Sequence, residues 1–250
     1  MPEEPEGRFI YGVFLSDGGP PFTSIGLGDR PVFTIPYQDI AVLVSAHPVT
    51  KVKPLRQNLS PYHRVVHEAA KSRTTIPARF GQIAPDEEEL LRVICRGYPR
   101  IKAELNRLHN KVEMGVQVFW EVDNIFEYLV RQYRALGRLR DSLLGRATPL
   151  TRQEQFKFGE LLHDRLLEMR EVVSQKVKAV LKGAAVEVKL EEATQEKMAM
   201  NGFFLIMKEK QKDFEQRAEE ASQLLGEDYR LKVDGPWVPF NFVERIELGL

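Results

Sequence analysis

Residues 111 to 121 read KVEMGVQVFWE. Val112, Met114, Val116, Val118 and Trp120 fall on one side of an extended chain and Glu113, Gly115, Gln117 and Phe119 on the other, because side chains alternate along a strand with a period of two. A helix would scatter the same apolar residues around its axis. The stretch is therefore a strand with one buried face. Working upstream, RFIYGVFL (8–15) reads as a strand running into the turn-rich SDGGPP, and VFTIPY (32–37) and DIAVLVSA (39–46) follow as β-branched strands, the second suited to a buried, central position. HPVTKVKP closes this section. Ser60-Pro61 is expected to start a helix reaching about Ser72, with serine capping and proline pre-set for the first turn. TIPARFGQI (75–83) reads as extended again. Asp86 to Glu89 place carboxylates where a helix dipole favours them, ahead of a helix carrying Leu90, Ile94, Ile101, Leu105 and Leu108, with a kink expected at Pro99.

The order strand, strand, strand, helix, strand, helix, strand closes near residue 121. It predicts an α+β fold whose first domain, 1–121, is ferredoxin-like with an added hairpin and has its helices on one face of an antiparallel sheet. Residues 122–250 then predict a helix-rich α+β domain. One helix is expected over Asp123–Leu144, with Phe126, Leu129, Tyr133, Leu136 and Leu143 along its stripe. A longer one after Thr148-Pro149 should run to about Lys182 on Leu162, Leu166, Met169, Val173, Val177 and Val180. Gly183 ends it, AVEVKLEE alternates as a half-exposed strand, and MAMNGFFLIMK is its expected buried partner. Asp213–Leu225 is a helix stopped by Gly226. The strand Tyr229–Val233 leads into DGPWVPFNF (234–242), whose aromatics either plug a core as a terminal strap or meet a partner.

The 250 residues carry 36 basic and 36 acidic side chains, so no overall charge draws the chain to nucleic acid or an anionic membrane. The acidic start MPEEPEGRF lacks a secretory pattern, and the longest fully apolar run, Phe203 to Met207, is far below the roughly 20 residues that cross a bilayer. A soluble, cytoplasmic protein is expected. A single cysteine, Cys95, leaves no internal disulfide and no multi-cysteine metal site. It sits on a packing helix with no base in sight, so it reads as an ordinary thiol. His63 and His67 lie four apart on one helix and could share a metal, but no third ligand accompanies them, and a structural or surface role is expected. Gly26-Leu27-Gly28 begins like a phosphate loop and fails at Asp29-Arg30-Pro31. Arg131, Arg134 and Arg138, with Arg140 beside them, form either a patch for an acidic partner or the solvated face opposite the apolar stripe. No catalytic residue, cofactor or metal is expected.

FIYGVF, IPARFGQI (76–83) with YHRVVHEA before it, VEMGVQVFW (112–120) and DGPWVPFNFV (234–243) together resemble the gas vesicle GvpF/GvpL family. The matching positions are Pro77, Arg79-Phe80-Gly81, Glu113 and Gly115, and Gly235-Pro236-Trp237 with Pro239-Phe240. Val238 stands where the family often has a second proline, and Gln117 where a basic residue is common. The F branch is favoured. The resemblance implies a ferredoxin-like first domain and a helix-rich second one. It also implies a non-enzymatic, cytoplasmic accessory or minor component of gas vesicles, partnered with the hydrophobic major shell protein and other gas vesicle proteins. A nucleic-acid or small-ligand binding module using the sheet is the alternative. Partner-binding candidates are Arg79, Glu113, Arg131, Arg134, Arg138, Trp237 and Phe240. Arg79 and Glu113, charged within strand-like motifs, are read first as a buried structural pair, so Arg79→Ala is expected to lower the melting temperature.

Overall fold

The computed structural model describes residues 6–16, 22–146 and 149–243; most of the SDGGPP loop and Thr148 lie outside them. The chain divides into two compact units, one of the residues up to Glu113 together with those from Pro236, the other Met114–Gly235. This differs from the boundary read at residue 121 at both ends of the second unit. The strand KVEMGVQVFW joins the second sheet instead of closing the first, and the tail returns to the first unit.

The first sheet runs in the order β2 (Ser24–Ile25), β3 (Pro31–Tyr37), β4 (Ile40–Pro48), β1 (Glu6–Leu15) and β5 (Thr75–Pro77), with β6 (Ile83–Ala84) also on β1. Every pairing within it is antiparallel; VFTIPY and DIAVLVSA pair as the β3–β4 hairpin, with Tyr37 opposite Ile40, and the short β2 adds an edge strand that the pattern does not show. β1 is central, and both its faces are buried. A bulge between Ile10 and Gly12 lets Phe9, Tyr11 and Phe14 share one face with Ala41 and Leu43. That face packs on Tyr62, Val65, Val66 and Ala69 of α1 (Arg56–Ser72). Ile10, Val13, Ile40, Val42 and Val44 alternate onto the opposite face and are equally buried. Tyr37, opposite Ile40 on this second face, meets the Tyr98 ring of α2 (Glu87–Leu108) at 5.6 Å. The two helices therefore flank the sheet from both sides, where the sequence pattern predicts one. The α+β class and the ferredoxin-like antiparallel sheet with its extra hairpin stand.

Local chemistry explains several element ends. Asp86 caps α2 by accepting from the Glu89 amide at 2.7 Å, with three glutamates in the first turn. α1 starts four residues earlier than Ser60, and Pro61 lies inside it, where its missing N–H costs a single bond near the helix start. TIPARFGQI is not one strand. β5 ends at Pro77, and residues 78–82 form a turn in which Gly81 takes φ +88, a conformation that suits glycine. Gly26 is required by packing, since a Cβ there would lie 2.0 Å from the Tyr11 hydroxyl, which itself accepts from the Leu27 amide at 2.8 Å. The Gly26-Leu27-Gly28 run is thus a support for Tyr11.

In the second unit the sheet order is β10 (Tyr229–Trp237), β7 (Lys111–Trp120), β9 (Met198–Met207) and β8 (Ala185–Glu191). The Trp120 amide donates to the Lys197 carbonyl and that of Glu121 to Asp228, so the end of β7 meets the beginnings of both neighbours and runs antiparallel to them. Met114, Val116, Val118 and Trp120 are buried, as the alternation predicts. The expected Asp123–Leu144 helix is broken at Tyr133, giving α3 (Ile125–Gln132) and α4 (Arg134–Leu144); Phe126 is exposed. α5 (Arg152–Leu181) opens with a Thr151/Glu154 capping box and buries Leu166, Val173, Val177 and Leu181 against α6 (Gln211–Leu225) and β9. Phe204 of β9 meets Phe214 of α6 at 5.3 Å.

Candidate functional site

After β10 the chain crosses α1 as a strap. Pro239 shapes it. Lacking an N–H of its own, it offers a carbonyl that accepts from the amides of Phe242 and Val243, both at 3.1 Å, and turns the chain back. This turn alternates the strap's side chains between core and surface. Val238 enters the cluster formed by α1 and β1, and Phe242 is buried to 1% exposure. Trp237 and Phe240 stay outside, at 49% and 37% exposure. Burial of that depth for Phe242 contributes roughly 2–3 kcal/mol by apolar area.

Polar anchors hold the strap between those apolar ones. Glu113, only 3% exposed, accepts from the Asn241 backbone amide at 2.8 Å and from the Asn241 side-chain amide at 2.6 Å. A buried carboxylate needs such donors, and a strap rich in proline and aromatics offers few others. Arg107 clasps Glu104 with bonds of 2.7 and 2.8 Å and also donates to the Phe242 carbonyl. Sequence reasoning singled out Glu113 but missed Asn241 and Arg107. The one available signal for Asn241 was a lone amide between two phenylalanines.

The exposed aromatics rest on the two histidines of α1. His63 lies 5.3 Å from the Phe240 ring and His67 6.1 Å from Trp237, so the four-residue spacing matches two ridges of the strap. Partial burial pushes the His63 imidazole below its ordinary value. Among the described residues no group of three or more histidine, cysteine, aspartate or glutamate side chains is placed to hold a metal. The result is a rigid surface pair of large rings, one indole and one phenyl, beside imidazoles. It suits contact with an apolar partner surface and offers no nucleophile–base pair.

The other candidates are scattered. Arg79 is exposed in the β5–β6 turn and makes no ion pair among the described residues, while Glu113 is buried, so the two are not a structural pair. Arg131 is exposed on α3, and Arg134 and Arg138 are exposed on α4, the break at Tyr133 separating the first from the others. Arg140 pairs with Asp141 at 2.7 Å. Cys95 is exposed. No helix is long and apolar enough to cross a membrane among the described residues.

Fold and strap define a two-unit α+β protein that displays anchored aromatics. The chain belongs to the family described as gas vesicle synthesis protein GvpL/GvpF, whose profile matches residues 7–244. Gas vesicle protein F of Dolichospermum flosaquae is 24% identical over 242 residues, spanning 94% of this chain and 97% of its own. That of Streptomyces sp. (strain CB03234) is 24% identical over 239 residues, spanning 94% and 99%. The crystal structure of the gas vesicle protein GvpF from Anabaena sp. PCC7120 shares the fold at a TM-score of 0.85, with 24% identity over 96% of this chain and 98% of that one. The GvpF structure from Microcystis aeruginosa gives 0.78, with 22% identity over 94% and 98%. These relatives carry the F designation, the branch favoured in the sequence analysis although Val238 and Gln117 do not separate F from L, and the role is gas vesicle-related.

Proposed function

We propose that this chain is a non-enzymatic gas vesicle assembly factor. It binds the hydrophobic major shell protein, limits its aggregation while vesicles nucleate, and remains as a minor vesicle component. Family membership over residues 7–244 supports the setting, and the observation that carries the contact is Trp237 and Phe240, held exposed on a strap whose neighbours are buried. A subunit built for a water-repelling wall exposes apolar surface before assembly, and rigid aromatic anchors cover such surface at small entropic cost. Other gas vesicle proteins are further partners in this reading, and nucleic acid is not part of it. Arg131, Arg134 and Arg138 are its solvated face.

The test is affinity purification of the tagged chain from cells expressing the gas vesicle genes, paired with deletion of the chain. The reading expects the shell protein to co-purify and vesicle yield to collapse on deletion. Absence of association together with normal vesicles in the deletion strain overturns it.

A further inference from the structure

A cleft of about 410 Å³ lies in the first unit, between the segment that follows β4 and the β5–β6 turn. Lys51 and Arg79 line it from its two sides, no carboxylate lines it, and neither cation forms an ion pair among the described residues. In a chain whose charges balance at 36 against 36, such a local excess is a feature of this cleft and not of composition. The apolar side is equally specific. Val49 is exposed there, and the Phe80 ring is fixed by Phe9 at 5.7 Å and Tyr62 at 5.4 Å, so the wall is preformed. The turn itself is pinned, because the Tyr62 hydroxyl donates to the Ala78 carbonyl. Gln82 completes the lining on the Arg79 side.

These groups ask for two things in one ligand: negative charge for Lys51 and Arg79 and an apolar group for Val49 and Phe80. A bare inorganic anion supplies only the first. We propose that the cleft binds an acidic peptide segment of a protein partner, with a carboxylate between Lys51 and Arg79 and an adjacent apolar side chain against Val49. The planar guanidinium of Arg79 suits a carboxylate in two-point geometry, and Lys51 adds a point charge from the facing wall. Arg79 thereby gains a role that its exposure denies it in the core. The inference stands on the cleft alone and is independent of the shell-protein reading.

The probe is a phage-displayed library of random dodecapeptides panned on the full chain, followed by titration of the selected peptide, made synthetically, onto wild type, Lys51→Glu and Arg79→Glu. The expected selection is enriched in Asp or Glu next to an apolar residue. Its affinity should fall at least about tenfold in each variant and weaken as salt rises, with both variants melting as wild type does. Selection of neutral or basic sequences, or peptide binding indifferent to both charge reversals, overturns the proposal. So does displacement of the peptide by inorganic phosphate at equal concentration, which would make this a simple anion site. Should a charge reversal disturb folding, Arg79→Gln with the same titration decides the matter.

Discussion

Glu113→Ala is the sharpest perturbation of the strap. The carboxylate accepts two bonds from Asn241, at 2.8 and 2.6 Å, in a place only 3% exposed. Bonds to an ionised group each contribute about 1.5–3 kcal/mol, and the substitution also strands two donors away from water. Loss of one bond's worth is recovered if Asn241 turns to solvent, so a net cost of about 3 kcal/mol is expected. In a chain of this size 1 kcal/mol moves the melting temperature by about 2–4 °C, giving a fall of roughly 6–12 °C. Circular dichroism melts measure that, and hydrogen exchange at the amides of Asn241, Phe242 and Val243 locates it. Because those amides bond to Glu113 and to Pro239, their protection should fall well before that of β1. A melting temperature within about 2 °C of wild type, with strap protection unchanged, would refute the claim that Glu113 fastens the tail.

Phe242→Ala removes a ring at 1% exposure and should cost about 3–5 kcal/mol, read from the same melts. Arg79→Ala should leave the melting temperature within about 2 °C, because the side chain is exposed and unpaired among the described residues. Burial depresses the His63 pKa, so the neutral ring is the form the fold prefers; its contribution is complete above about pH 6.5 and is lost as pH falls through the depressed value. Strap protection should therefore weaken on the acid side of pH 6.5, and His63→Asn should flatten that dependence. Charge reversal at Arg131, Arg134 and Arg138 should leave both melting and shell-protein association unchanged, measured side by side.

Much of this fold was legible because alternation and helical spacing are local properties. Lys111–Trp120 shows what they can and cannot carry. Its buried face was read residue by residue, yet its sheet was not, since pairing with β10 and β9 depends on partners far along the chain. The break at Tyr133 was hidden because Leu129, Leu136 and Leu143 keep a continuous stripe across it. Pro61 misled in the other direction, a proline tolerated early inside a helix where a start was expected. Helices on both faces of the first sheet follow from the consecutive apolar run Ile40–Val44, which leaves neither face of β4 polar, although the pattern does not say which helix covers which face. The site was half legible: Trp237, Phe240 and Glu113 stood out by residue type, whereas the Asn241 partner of Glu113 lies 128 positions away.

In the proposed function the strap's exposed rings hold the shell protein. Co-expression of the major gas vesicle shell protein with wild type or with the Trp237→Ala/Phe240→Ala double variant tests it, by the fraction of shell protein left in the supernatant after centrifugation. Two anchors at about 2 kcal/mol each predict a loss of well over tenfold in association, with the shell protein moving to the pellet while the variant melts as wild type does. Equal supernatant fractions with the two forms would contradict the account.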